Sequence, residues 1–163
     1  MRKMLLVVCV VTLASAAMAQ KIDTKWSCSK PSENPMLEVG DVPGHSYALG
    51  KGTCAATSSG SGEKSGAYTE FQEIRKTELK NHGYFTVTMD NGDMVYYTYE
   101  GTGSTDVKKP LANKWKIVSG TGKHKGITGS GSCTGTPKED GSADFVCSGT
   151  ATMAGKAKAA PKS

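Results

Sequence analysis

Tyr84-Phe85-Thr86-Val87-Thr88-Met89-Asp90-Asn91-Gly92-Asp93-Met94-Val95-Tyr96-Tyr97-Thr98-Tyr99 reads as a β-hairpin. Aromatic and β-branched residues fill both arms, and Asn91-Gly92 suits a type I′ turn, whose two central residues need positive φ. That turn sets Met89 against Met94, Val87 against Tyr96 and Phe85 against Thr98. This is the more apolar face, so it is expected inside; Tyr84, Thr86, Thr88, Val95, Tyr97 and Tyr99 fall on the other. A second hairpin surrounds Asp140-Gly141, with arms at Ile127–Thr134 and Ala143–Thr152. Cys133 and Cys147 are equidistant from Asp140, so the register sets them face to face at disulfide spacing.

Further strands are expected at Lys25–Cys28, Ser46–Thr57 and Lys114–Val118, where Trp115 and Ile117 alternate with lysines. Thr69–Leu79 carries both a capping-box pattern and strand-like brackets at Gly66 and an Asn81-His82-Gly83 turn, and it is read as a strand. Ser58–Gly66 reads as a surface loop. The chain holds 20 glycines, well above the usual share of about 7%, spread among Thr, Ser, Tyr and Val as in twisted strands and tight turns. Short strands at this spacing give an all-β fold: a small antiparallel β-barrel of about eight strands, with a β-sandwich as the alternative. Closure is attractive because it removes exposed edges.

Arg2-Lys3, the apolar run Met4–Leu13 and Ala17-Met18-Ala19 match a cleavable signal peptide over residues 1–19. The apolar run is shorter than the ~20 residues a bilayer needs, so no integral membrane segment is expected after cleavage. Residues 20–154 form the single domain, and 155–163 a disordered basic tail. The chain is expected to be exported, to the periplasm or the extracellular space. Cys28, Cys54, Cys133 and Cys147 are an even set with no C-x-x-C pair, which reads as two disulfides rather than a zinc site. Cys28–Cys54 follows from Cys133–Cys147 by elimination, with two other connectivities open. The formal charge of +5 is accounted for by Arg2, Lys3, Lys156, Lys158 and Lys162, in the signal and tail. The body is neutral, so no nucleic-acid partner is indicated.

Gly120-Thr121-Gly122-Lys123-His124-Lys125-Gly126-Ile127-Thr128-Gly129-Ser130-Gly131 resembles a glycine-rich segment of allene oxide cyclase-like and dirigent-like barrels, and most closely of uncharacterised bacterial secreted families. The likeness extends over Gly83–Gly135, and more loosely to Gly44-His45-Ser46-Tyr47 and Lys51-Gly52-Thr53-Cys54. It implies a barrel. In allene oxide cyclases it also implies an interior glutamate and an apolar cavity that guide a cofactor-free cyclisation. No carboxylate here can be matched to that role, so no catalytic residue carries over. Read from its own residues, Gly120–Gly126 is a tight connection between strands; its spacing fits neither a phosphate loop nor a dinucleotide fingerprint.

His45, His82 and His124 each lie beside an expected turn but lack metal-ligand spacing, so no metal site is assigned. Glu70, Glu73, Glu78 and Glu100 are most simply solvated strand positions. Tyr84, Phe85, Tyr96, Tyr97, Tyr99 and Trp115 form the candidate ligand-binding set, since amphipathic aromatics suit a pocket for a small apolar ligand. The competing reading, that these rings fill a barrel just wide enough for them, is the one favoured. No cofactor is indicated. The functional expectation is an exported barrel to which the sequence assigns no activity, leaning away from an enzyme, with a small apolar molecule as the candidate ligand. A cofactor-free isomerase or cyclase and a structural protein with a filled barrel are the alternatives.

Overall fold

The computed structural model describes residues 19–153. The expected signal peptide up to residue 18 and the tail from residue 155 lie outside the described residues. Nine strands follow in order: β1 (Ala19–Cys28), β2 (Met36–Glu38), β3 (His45–Ser59), β4 (Glu63–Arg75), β5 (Glu78–Met89), β6 (Met94–Ser104), β7 (Leu111–Gly120), β8 (Thr128–Pro137) and β9 (Ala143–Thr152). All neighbours are antiparallel, in the order β1-β9-β8-β7-β6-β5-β4-β3-β2. Pairing of β1 with the C-terminal half of β3 closes eight of them into a barrel, and β2 lies along the N-terminal half of β3. The barrel, rather than the sandwich, is therefore the fold. Cys28–Cys54 and Cys133–Cys147 are both disulfides, each joining residues directly paired across two strands.

The first hairpin departs from the expected register by one residue. Only Gly92 of the Asn-Gly pair has positive φ, at 83°. The Met89 N–H donates to Asp93 O at 2.9 Å and the Gly92 N–H to Met89 O at 2.9 Å. The loop is thus Asp90-Asn91-Gly92, a type I turn closed by a left-handed glycine, and not a two-residue type I′ turn. Thr88 then pairs with Met94, Val87 with Val95 and Phe85 with Tyr97. A one-residue slip turns every side chain of one arm over. β5 sends Phe85, Val87 and Met89 inward as expected, but β6 sends Val95, Tyr97 and Tyr99 inward instead of Met94, Tyr96 and Thr98.

Three boundaries also differ. Thr69–Leu79 is neither helix nor one strand: it turns at Lys76-Thr77, with Lys76 at φ 57°, so that Arg75 pairs with Glu78. Asn81-His82-Gly83 is mid-strand, because Gly83 serves close packing: a Cβ there would sit 2.5 Å from Thr69 O and 2.9 Å from Glu70 Cα. Ser58–Gly66 is nearly all strand, leaving only the turn Gly60–Gly62 between β3 and β4. By contrast, Gly120–Gly126 is the expected tight connection. Asp93 secures it, accepting from the Lys123 N–H at 2.9 Å, while Thr121 Oγ1 accepts from the Met94 N–H at 2.8 Å.

Candidate functional site

The inner face of the barrel alternates glycine with large rings. A Cβ on Gly66 would fall 2.2 Å from Phe85 Cζ, one on Gly52 would fall 2.6 Å from Tyr68 Oη, and one on Gly135 would fall 2.4 Å from Phe145 Cε1. Trp115 lies over the directly paired Gly131 and Gly149 in the same way. Each ring lies against bare backbone of a neighbouring strand, which draws the rings toward the wall. The centre is left partly empty.

Trp26 and Phe85 meet edge to face at 5.0 Å, and Tyr97 and Trp115 at 5.6 Å, forming an aromatic girdle across the lumen. At one end Met89, Val95, Ile117, Ile127 and Ala151 pack solidly. At the other, a cavity of about 290 Å³ opens past Pro31, Val107, Leu111 and Ser142. An eight-stranded barrel has room either for its own side chains or for one small ligand; this one is filled at the floor and open above it.

Glu70 stands in the cavity wall, where glycines give it space. Its own Cα and Cβ approach Gly83, and its Cγ lies 3.1 Å from the site a Cβ on Gly50 would take. Its Oε2 accepts from Asn81 Nδ2 and Tyr99 Oη, both at 2.9 Å, and its Oε1 accepts from Gln72 Nε2 at 2.5 Å. A second carboxylate, Glu63, is buried deeper on the same strand and accepts from Ser59 Oγ. Burial and the charge of Glu70 push the Tyr68 phenol up to about 12. Burial and the same charge hold Tyr99 far above the ordinary phenol range, and burial with the charge of Glu63 does so for Tyr97. These three phenols stay protonated as donors at neutral pH.

The expected binding set divides. Phe85, Tyr97, Tyr99 and Trp115 line the cavity. Tyr84 is on the outer surface at 65% exposed, and Tyr96 also points outward, where its hydroxyl donates to Met94 Sδ at 3.7 Å. Trp26 and Tyr68 belong to the wall although the sequence reading left them out. The alternation Ile22-x-Thr24-x-Trp26-x-Cys28 was the available signal for Trp26. Glu70 is inside, whereas Glu78 and Glu100 are exposed. Glu73 lies outside in a cluster with Arg75 Nε at 2.8 Å and His45 Nε2 at 3.2 Å.

The histidines do not converge. His45 is buried between Asp41 and Glu73 on the outside of the sheet, His82 is exposed in mid-strand against Phe71, and His124 lies near Asp93 at the closed end. Among the described residues there is no helix long and apolar enough to cross a membrane.

No family profile matches this chain, and no curated protein matches it. Among solved structures, a pterocarpan synthase dirigent protein is similar, with a TM-score of 0.52 at 11% identity. The match covers 92% of this chain and 98% of that one. At this identity the likeness is one of fold: the chain adopts a dirigent-type barrel.

Proposed function

We propose that the lumen binds one small, largely apolar, ring-bearing molecule, and that the protein acts as an exported binding protein. The observation that carries this is the cavity of about 290 Å³ that runs from Thr24 and Glu63 past the aromatic girdle to the open end. That volume equals the liquid share of about ten waters, enough for a molecule of about that many heavy atoms. Apolar walls with a few placed polar groups are the usual make-up of such sites. Glu70 supports binding over cofactor-free isomerisation. Three donors from the protein already occupy its two oxygens, of about four lone-pair sites a carboxylate offers, so little of its acceptor capacity is left to act on a substrate.

Naphthol, a neutral probe of suitable size, is expected to bind the disulfide-intact protein and quench its tryptophan emission, since Trp26 and Trp115 line the cavity. Val107→Trp, in the loop at the mouth, should weaken or slow binding, whereas Tyr84→Ala on the outer wall should leave it unchanged. Absence of saturable quenching, or equal effects of the two substitutions, would refute the lumen as the site.

A further inference from the structure

The charges lining the lumen are one-sided. Glu63 and Glu70 line it, and among the described residues the only lining cation is Lys138, which sits at the mouth and is paired with Asp144 at 2.9 Å. Among the described residues neither glutamate forms an ion pair. Their partners are neutral: Gln72, Asn81 and Tyr99 for Glu70, and Ser59 for Glu63. Neutral donors orient a carboxylate without cancelling its charge, and buried charges are ordinarily paired.

A second, independent group is unmet at the same depth as Glu63. Thr24 is 3% exposed and lines the cavity, and among the described residues its Oγ1 has no hydrogen-bond partner. It lies directly opposite Ser59, the residue whose hydroxyl holds Glu63. Above this level the girdle presents the rings of Trp26, Tyr97 and Trp115, whose faces attract cations.

Resting on the lumen-binding reading above, we propose that the natural ligand is a small organic cation: a protonated amine on an apolar or aromatic body. Its ammonium is held by the Glu63 carboxylate and the Thr24 hydroxyl at the floor, and its body lies against the girdle. Glu70, nearer the mouth and with most of its acceptor sites filled, draws the cation in.

Three near-isosteric probes decide this on the native protein: benzylammonium, benzyl alcohol and benzoate, titrated by tryptophan fluorescence. Benzylammonium is expected to bind at least about tenfold more tightly than either of the others, with affinity falling as salt rises. Glu63→Gln should remove most of that preference and leave benzyl alcohol nearly unaffected. Thr24→Val is the safeguard against a folding defect. Removing an unpartnered buried hydroxyl should hold or raise Tm, yet it should weaken benzylammonium a few-fold. Equal binding of alcohol and ammonium, or a preference for benzoate, overturns the cation while leaving the lumen reading intact. Failure of all three probes and of naphthol overturns both.

Discussion

Gly131→Ala tests the packing that shapes the lumen. A Cβ at this position would lie 2.1 Å from Ser148 O and 2.3 Å from Trp115 Cζ2, against ordinary contact beyond 3.4 Å. Neither neighbour can swing aside. The first is a strand carbonyl, and the second belongs to an indole 7% exposed and wedged edge to face against Tyr97. Overpacking of this kind costs about 1–3 kcal/mol, of which ~0.4–1 kcal/mol is offset because alanine lowers the entropy of the unfolded chain. The net loss, about 1–2 kcal/mol, corresponds to a fall in Tm of roughly 3–7 °C for a domain of this size. Thermal unfolding by circular dichroism measures it, and a shift in Trp115 emission reports the displaced ring. Gly60→Ala is the control, since its nearest neighbour is Asp23 O at 3.8 Å, and it should be neutral or slightly stabilising. In a Trp115→Phe background the cost of Gly131→Ala should shrink, because the two sites share one contact. If Gly131→Ala matched the native Tm and spectrum, or lost no more than Gly60→Ala, the account of rings lying on glycine would be wrong.

Removing Cys28–Cys54, which closes a separation of 26 residues, should cost about 3–4 kcal/mol and weaken naphthol binding, because both sulfurs line the cavity; a paired Cys28→Ala/Cys54→Ala variant measures both effects. Tyr97→Ala should cost ~3–5 kcal/mol and Tyr96→Ala about 1 kcal/mol in chemical denaturation, the order set by the observed register. Tyr68, Tyr97 and Tyr99 are held neutral in the folded state above their unfolded pKa of about 10, so their contribution is full below that pH and is lost as pH rises through their raised folded values. Tyrosinate absorbance should accordingly show these three phenols ionising late, at or above about pH 12 or together with unfolding. N-terminal sequencing of the exported protein should begin at Gln20.

The succession of strands, Cys133–Cys147 and the Gly120–Gly126 connection were legible because each rests on short-range chemistry, whereas Cys28–Cys54 followed only by elimination. A turn residue fixes a hairpin, and a hairpin sets Cys133 against Cys147. The face of β6 was not legible, because Asn-Gly is compatible with two loop lengths and the choice between them inverts every side chain from Met94 to Tyr99. Both faces of that strand carry tyrosines, so composition could not arbitrate. Glu70 escaped for another reason. Its interior position depends on Gly50 and Gly83 in the two flanking strands, and on donors from Asn81 and Tyr99. None of these is near it in sequence, and a glutamate on a strand looks solvated until its neighbours are known.

β1 lies between β3 and β9, whereas every strand from β3 to β8 is hydrogen-bonded to its own successor. The latter can assemble in chain order through local turns. β1 must instead find partners as distant as Phe145, opposite Trp26, and closure over such a span is the slow kind. Until it arrives, β3 and β9 are two open edges, the condition under which β-proteins join to one another rather than to themselves. Cys133–Cys147 can form inside one hairpin, but Cys28–Cys54 requires β1 in place beside β3. A molecule holding only the first bond is therefore a barrel still ajar, and the second bond acts as its clock, recording when the last stave went in.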